Sequence, residues 1–184
     1  MTVAEFLAWE EPIDVSGGPW QLRDGELEMM APASDTHGSI QARLAQLLGT
    51  HLDAAGSRCR VVVAPGVVPG DRSQDNCLVP DLGITCAPPR GTPLLPEPLV
   101  LIEILLPTNV SKTRANVRAY TTIPTLAEIV VLRSTAIAAE LLRRRPDGTW
   151  PQTPDIVGTD GELRLESIGF AVPLRDAYRT TGLS

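Results

Sequence analysis

A chain of 184 residues, 43% hydrophobic and 21% charged, is long enough to bury one proper core, and no repeat or long linker divides it, so a single domain over residues 1–184 is expected. Its net charge of −6 excludes a broad basic surface, so any contact with nucleic acid has to be local. No apolar run reaches membrane-spanning length, and the opening Met1-Thr2-Val3-Ala4-Glu5-Phe6 lacks the basic start and apolar centre of a signal peptide; a cytoplasmic protein with no membrane partner is expected.

In chain order, Val3 to Glu11 predicts a short helix that docks Phe6 and Leu7 and ends at Pro12. Trp20 to Met30 alternates apolar and polar residues across Asp24-Gly25, the pattern of an antiparallel hairpin. Glu26 sits just beyond that turn, either as a solvated charge or as an acid near a site. From Ser34 the period changes to helical, with Ile40, Leu44, Leu47 and Leu48 on one face and Ser34, Asp35 or Thr36 as cap. His37 and Gln41 lie one turn apart on a neighbouring stripe, where His37 serves either the helix start or a site. His51 suits the helix C-terminus. Cys59 to Ala64 reads as a strand, and Pro65 to Gln74 as a turn-rich connection.

Leu99 to Leu106 is an eight-residue apolar run broken by one carboxylate, the pattern of a strand buried on both faces. Ser111 then opens a helix through Tyr120, with Val117 and Tyr120 inward and Arg114 and Arg118 sharing another face, solvated or phosphate-facing. Leu126 to Leu132, Ile137 to Leu142 and Leu163 to Leu165 read as further strands, and Pro173 to Tyr178 as a short closing helix. Arg143-Arg144-Arg145 is the densest positive charge, a soluble strand end first and a backbone-contact site second. The three cysteines, Cys59, Cys77 and Cys86, show no short paired spacing and read as small buried hydrophobes in a reducing compartment.

The anomaly is Glu103. A buried carboxylate has to be answered by a metal ion, by Arg or Lys, or by protonation. Pro80-Asp81 opens another short apolar segment, and a divalent ion between the two carboxylates would satisfy both. Strand alternation puts Leu101, Glu103 and Leu105 on one face and Ile102 and Ile104 on the other. In a metal-dependent phosphodiesterase, Asp81, Glu103 and the carbonyl of Ile104 would hold Mg²⁺, and a cation two residues past the glutamate would orient or activate water. Leu105 occupies that place.

Val79-Pro80-Asp81-Leu82 followed twenty-two residues later by Glu103-Ile104-Leu105 resembles the signature of the PD-(D/E)XK nuclease superfamily. Asp24-Gly25-Glu26-Leu27, the segment ending in His37-Gly38, Asp75-Asn76 and Glu103 to Pro107 more closely resemble the Uma family of restriction endonucleases, from about Phe6 to Leu174. The resemblance implies an α/β, restriction-endonuclease-like core, a mixed central sheet flanked by helices, here with an additional antiparallel N-terminal hairpin. It implies Asp81 and Glu103 as catalytic metal ligands for Mg²⁺ or Mn²⁺, with Glu26 as an acidic neighbour. The superfamily's lysine is replaced by Leu105 and the family's usual serine before proline by Leu106. Lys112, the sole lysine, is the candidate to reach back into the site, with Arg114 assisting transition-state charge.

Two classes of function follow. One is a Mg²⁺-dependent endonuclease that hydrolyses DNA phosphodiesters with a metal-activated water, with a homodimer suited to cutting two antiparallel strands. The other is a nuclease-fold protein without catalysis, acting as a binding or assembly module. A Gly-rich phosphate loop, a Gly-x-Ser-x-Gly elbow and zinc-ligand spacing are all absent from the sequence.

Overall fold

The structure, a computed structural model, describes residues 1–9, 20–30 and 33–183. The expectation that Pro12 ends the first helix lies outside them. Helix α1 runs Val3–Leu7 under a Thr2 cap, with Glu5 completing the reciprocal capping pair. Strands β1 (Trp20–Arg23) and β2 (Glu26–Met29) form the hairpin that Asp24-Gly25 predicted. Both turn residues have positive φ, 52° and 81°, as a two-residue turn that follows the strand twist requires. Helix α2 is Asp35–Ala54, and Ser34 is the residue that caps it.

A six-stranded sheet holds the centre, built in the order β3 (Arg60–Val63), β4 (Leu82–Thr85), β5 (Pro98–Leu105), β6 (Glu128–Arg133), β7 (Ala139–Arg143) and β8 (Asp155–Val157). Only β5 and β6 pair in parallel. Parallel neighbours need a crossover, and helix α3 (Val110–Tyr120) supplies it. Strands β9 (Glu162–Leu165) and β10 (Phe170–Pro173) form a separate hairpin. The expected closing helix is a 3-10 helix, Leu174–Tyr178.

Alternation along β5 sorts the two cores. Val100, Ile102 and Ile104 pack with Ile40, Leu44 and Leu48 of α2. Leu101 and Leu105 pack on the opposite face with Val117 and Tyr120 of α3. Every residue of β5 except Leu99 is buried, which is why that strand reads as a near-continuous apolar run.

The cysteines depart from expectation. Cys59 and Cys86 form a disulfide, and only Cys77 is a free buried thiol. Arg60 pairs with Thr85 across β3 and β4, so the next step of the register sets Cys59 opposite Cys86. A separation of 27 residues hides that pairing until the strands are aligned.

Glu128 joins the sheet to the C-terminal segment. It is 2% exposed and accepts hydrogen bonds from Arg143 Nε at 3.1 Å and from the backbone N–H groups of Glu166 and Ser167 at 3.1 and 3.0 Å. Glu128→Ala removes the acceptor of the Glu166 and Ser167 N–H groups and one of several partners of Arg143, and is expected to lower stability by about 1–3 kcal/mol. Urea denaturation beside Glu128→Gln checks it, and a loss below ~1 kcal/mol in the alanine variant would contradict the assignment.

Candidate functional site

Leu82 pairs with Ile102 in the antiparallel β4–β5 ladder. One further step sets Asp81 opposite Glu103, so the two acids of the sequence signature become cross-strand neighbours. Asp81 caps the open end of the ladder, its Oδ2 accepting from the Ile104 N–H at 2.6 Å. In an extended strand the N–H and C=O of one residue face the same side, so the Ile104 carbonyl also lies on Asp81's side of β5. Helix α2 fixes the aspartate from the other direction. His37 Nε2 meets Asp81 Oδ1 at 2.7 Å, and Gln41 Nε2 donates to the Asp81 carbonyl at 2.8 Å. His37 Nδ1 is buried with no hydrogen-bond partner among the described residues.

Glu103 is 6% exposed, and two donors from α3 answer it. The Tyr120 hydroxyl and Asn116 Nδ2 donate to its Oε1 at 2.7 and 3.1 Å. Asn116 and Tyr120 are spaced i, i+4, one helical turn. No described residue donates to Oε2. Burial and the neighbouring Asp81 charge push the carboxyl up to about 8, against the pull of Tyr120, Asn116 and Arg23. Burial and the adjacent Asp81 therefore both oppose ionisation of this acid. Burial and the same two carboxylates push the Tyr120 hydroxyl well above its ordinary value.

The hairpin closes one wall of a cavity of about 570 Å³ that reaches Asp81 and Glu103. Gln21, Arg23 and Glu28 share the inner face of the hairpin. Glu28 Oε2 accepts from Gln21 Nε2 at 2.7 Å and Arg23 Nε at 3.0 Å, and its Oε1 pairs with Lys112. Burial works to raise the Glu28 carboxyl, but Lys112, Arg23 and Gln21 outweigh it and hold the group down to about 2. Arg23 Nη2 also donates to Asn116 Oδ1 at 2.6 Å. The turn itself is pinned by Asn76 Oδ1, which accepts from the Asp24 N–H at 2.7 Å.

The sequence candidates divide clearly. His37, Gln41, Asp81, Glu103 and Lys112 all line this cavity. Glu26 does not; it is exposed beyond the turn, and the acid on the cavity wall is Glu28. Both acids are register partners on that face, Glu28 opposite Gln21 and Glu26 opposite Arg23, so position along β2 rather than alternation separates them. Arg114 and Arg118 also lie elsewhere, as a helical rotation of about 100° per residue turns them away from Lys112 and Asn116. Arg114 holds the buried Glu140, with Nη2 at 2.7 Å from Oε1, and Arg118 is exposed. Leu105 is buried in the α3-side core, so no cation stands at the lysine position. Lys112 meets Glu28 rather than Glu103. The sequence reading missed Arg23, Asn116 and Tyr120.

The donor chemistry fits a hard divalent cation. Two carboxylates of like charge, one buried, stand beside a backbone carbonyl, and no cluster of three His, Cys, Asp or Glu suited to a metal occurs among the described residues. Mg²⁺ is held by one or two carboxylates with water and substrate oxygens completing its shell.

A family model described as "Uma2: Putative restriction endonuclease" matches residues 3–174. The fold is similar to the crystal structure of a "putative nuclease" belonging to DUF820 from Anabaena variabilis, with a TM-score of 0.74 at 14% identity, covering 97% of this chain and 98% of that one. No curated protein matches the chain.

The raised Glu103 value has a signed consequence for stability. Between about 4.5 and about 8 the folded chain keeps a proton that the unfolded chain has released, so this group's contribution falls as pH rises through that window. Glu103→Gln abolishes the titration while keeping an acceptor for Tyr120 and Asn116. In chelator-containing buffer its stability relative to wild type is expected to improve by more than about 1 kcal/mol between about pH 5 and pH 8. Urea denaturation at the two pH values reads this directly, and a difference that does not change with pH would refute it.

Proposed function

The chain belongs to the Uma2 family, described as "Putative restriction endonuclease", and from that premise we propose that it is a divalent-metal-dependent endonuclease of DNA. One observation carries the reading: Asp81 and Glu103 meet across the open end of the β4–β5 ladder at a cavity, although the burial of Glu103 opposes its ionisation. Asp81, Glu103 and the Ile104 carbonyl would hold Mg²⁺ or Mn²⁺, which when bound acidifies a water and polarises the phosphoryl oxygens.

The chain's own groups do the positioning. Tyr120 and Asn116 hold Glu103 Oε1, and Oε2 has no donor among the described residues. His37, Gln41 and the Ile104 N–H fix the aspartate. Lys112 has to leave Glu28 before its ammonium reaches the carboxylate pair.

A second reading has its own observation. Leu105 stands in the core where the superfamily places its cation, which favours a nuclease fold that binds nucleic acid without cutting it.

Purified protein, assayed on plasmid and single-stranded DNA with Mg²⁺ or Mn²⁺ beside Asp81→Ala and Glu103→Ala, decides between them. The nuclease reading expects cleavage that falls at least ~100-fold in both variants. It also expects Mn²⁺ affinity at least ~10-fold weaker, about 1.4 kcal/mol. Wild-type metal binding without cleavage supports the second reading. Cleavage and Mn²⁺ affinity unchanged in both variants would remove the site altogether.

A further inference from the structure

We infer that Arg23 is the phosphate-binding cation of this cavity; the inference rests on the nuclease reading and adds a group that the signature does not contain. Two cationic side chains, Arg23 and Lys112, line the cavity among the described residues. They are held in different ways. The Lys112 side chain is 62% exposed and ends on Glu28. Arg23 is 22% exposed and is gripped at two of its three guanidinium nitrogens, Nε by Glu28 and Nη2 by Asn116 Oδ1. Asn116 in turn donates to Glu103. An unbroken chain of hydrogen bonds therefore runs from the guanidinium to the buried carboxylate.

Nη1 is left over: no described residue accepts from it. A guanidinium fixed at two corners offers its remaining N–H groups in a set direction, the pre-organised donor geometry that suits a phosphate oxygen. The ordering cost is met in the unliganded fold, whereas Lys112 would first have to give up its pair. Arg114 is committed to Glu140 on the far side of α3. With the sheet position taken by Leu105, the hairpin brings positive charge to the site from outside the strand. The ligand class is the phosphodiester of a nucleic-acid strand.

The test is binding without cleavage. A fluorescein-labelled oligodeoxythymidylate is titrated in EDTA by anisotropy at several salt concentrations, and Mn²⁺ affinity is measured separately by electron paramagnetic resonance. Arg23→Gln is expected to weaken oligonucleotide binding by ~10-fold and to reduce the slope of log K against log salt by roughly 0.7, the release from one single-strand phosphate contact. Mn²⁺ is still bound, and the far-ultraviolet circular dichroism stays as in wild type. Arg23→Lys, which keeps the charge and loses the fork, recovers part of the affinity and the slope. An unchanged slope in Arg23→Gln, an equal or larger loss in Lys112→Gln, or no binding by wild type would overturn the assignment. Failure of the metal site appears elsewhere, as Mn²⁺ affinity that does not respond to Asp81→Ala.

Discussion

Two like charges directly across a ladder repel, and burial of one of them makes the repulsion stronger. The Asp81–Glu103 pair sets that constraint, and the elements around it read as its solution. Helix α2 brings His37 and Gln41 to the aspartate. Strand β5 contributes the Ile104 N–H. Helix α3 brings Asn116 and Tyr120 to the glutamate. Donors so placed hold both side chains in position, and burial together with Asp81 opposes the ionisation of Glu103, the direction that eases the repulsion.

Helix α3 answers a second buried acid in the same way. Glu103 pairs with Val131, and Val131 with Glu140, so the two glutamates lie on one row of the α3-side face with a valine between them. Asn116 and Tyr120 meet the first, and Arg114 meets the second. The contrast is chemical. Glu140 receives a guanidinium, with Arg133 Nη2 also 3.5 Å from Oε1, and its carboxyl is drawn below the ordinary range first by Arg114. Glu103 receives only neutral donors and is driven the other way. A structural acid and a candidate functional one are thus told apart by what the same helix offers each.

Much of this was legible in the sequence where a local pattern carried it. The apolar run around Glu103 gave β5, the Asp24-Gly25 turn gave the hairpin, and the apolar stripe from Ile40 gave α2. What escaped depended on pairing between distant segments. Glu26 was the nearer acid to the turn, but Glu28, on the same face two residues further along β2 and opposite Gln21, is the one that lines the cavity. Arg23 and Asn116 stand 93 residues apart, and no spacing rule joins them. Arg114 and Arg118 shared a face, as expected, but which way that face looked depended on how α3 sits over β5 and β7. The short strands β8 and β10 carried too few alternating residues to stand out from their turns.

The disulfide adds a constraint of a different kind. It closes a ring from Cys59 to Cys86, and Asp81 lies inside that ring while Glu103 lies outside it. Cross-linking a loop of this length removes about 3–4 kcal/mol of chain entropy from the unfolded state. In the oxidised chain the unfolded ensemble is therefore confined on the aspartate's side of the pair. The glutamate's strand, central in the sheet, is held by its pairing on both sides. The covalent ring thus encloses the sequence around one acid and not the other, and reduction releases the unfolded chain on the aspartate's side alone.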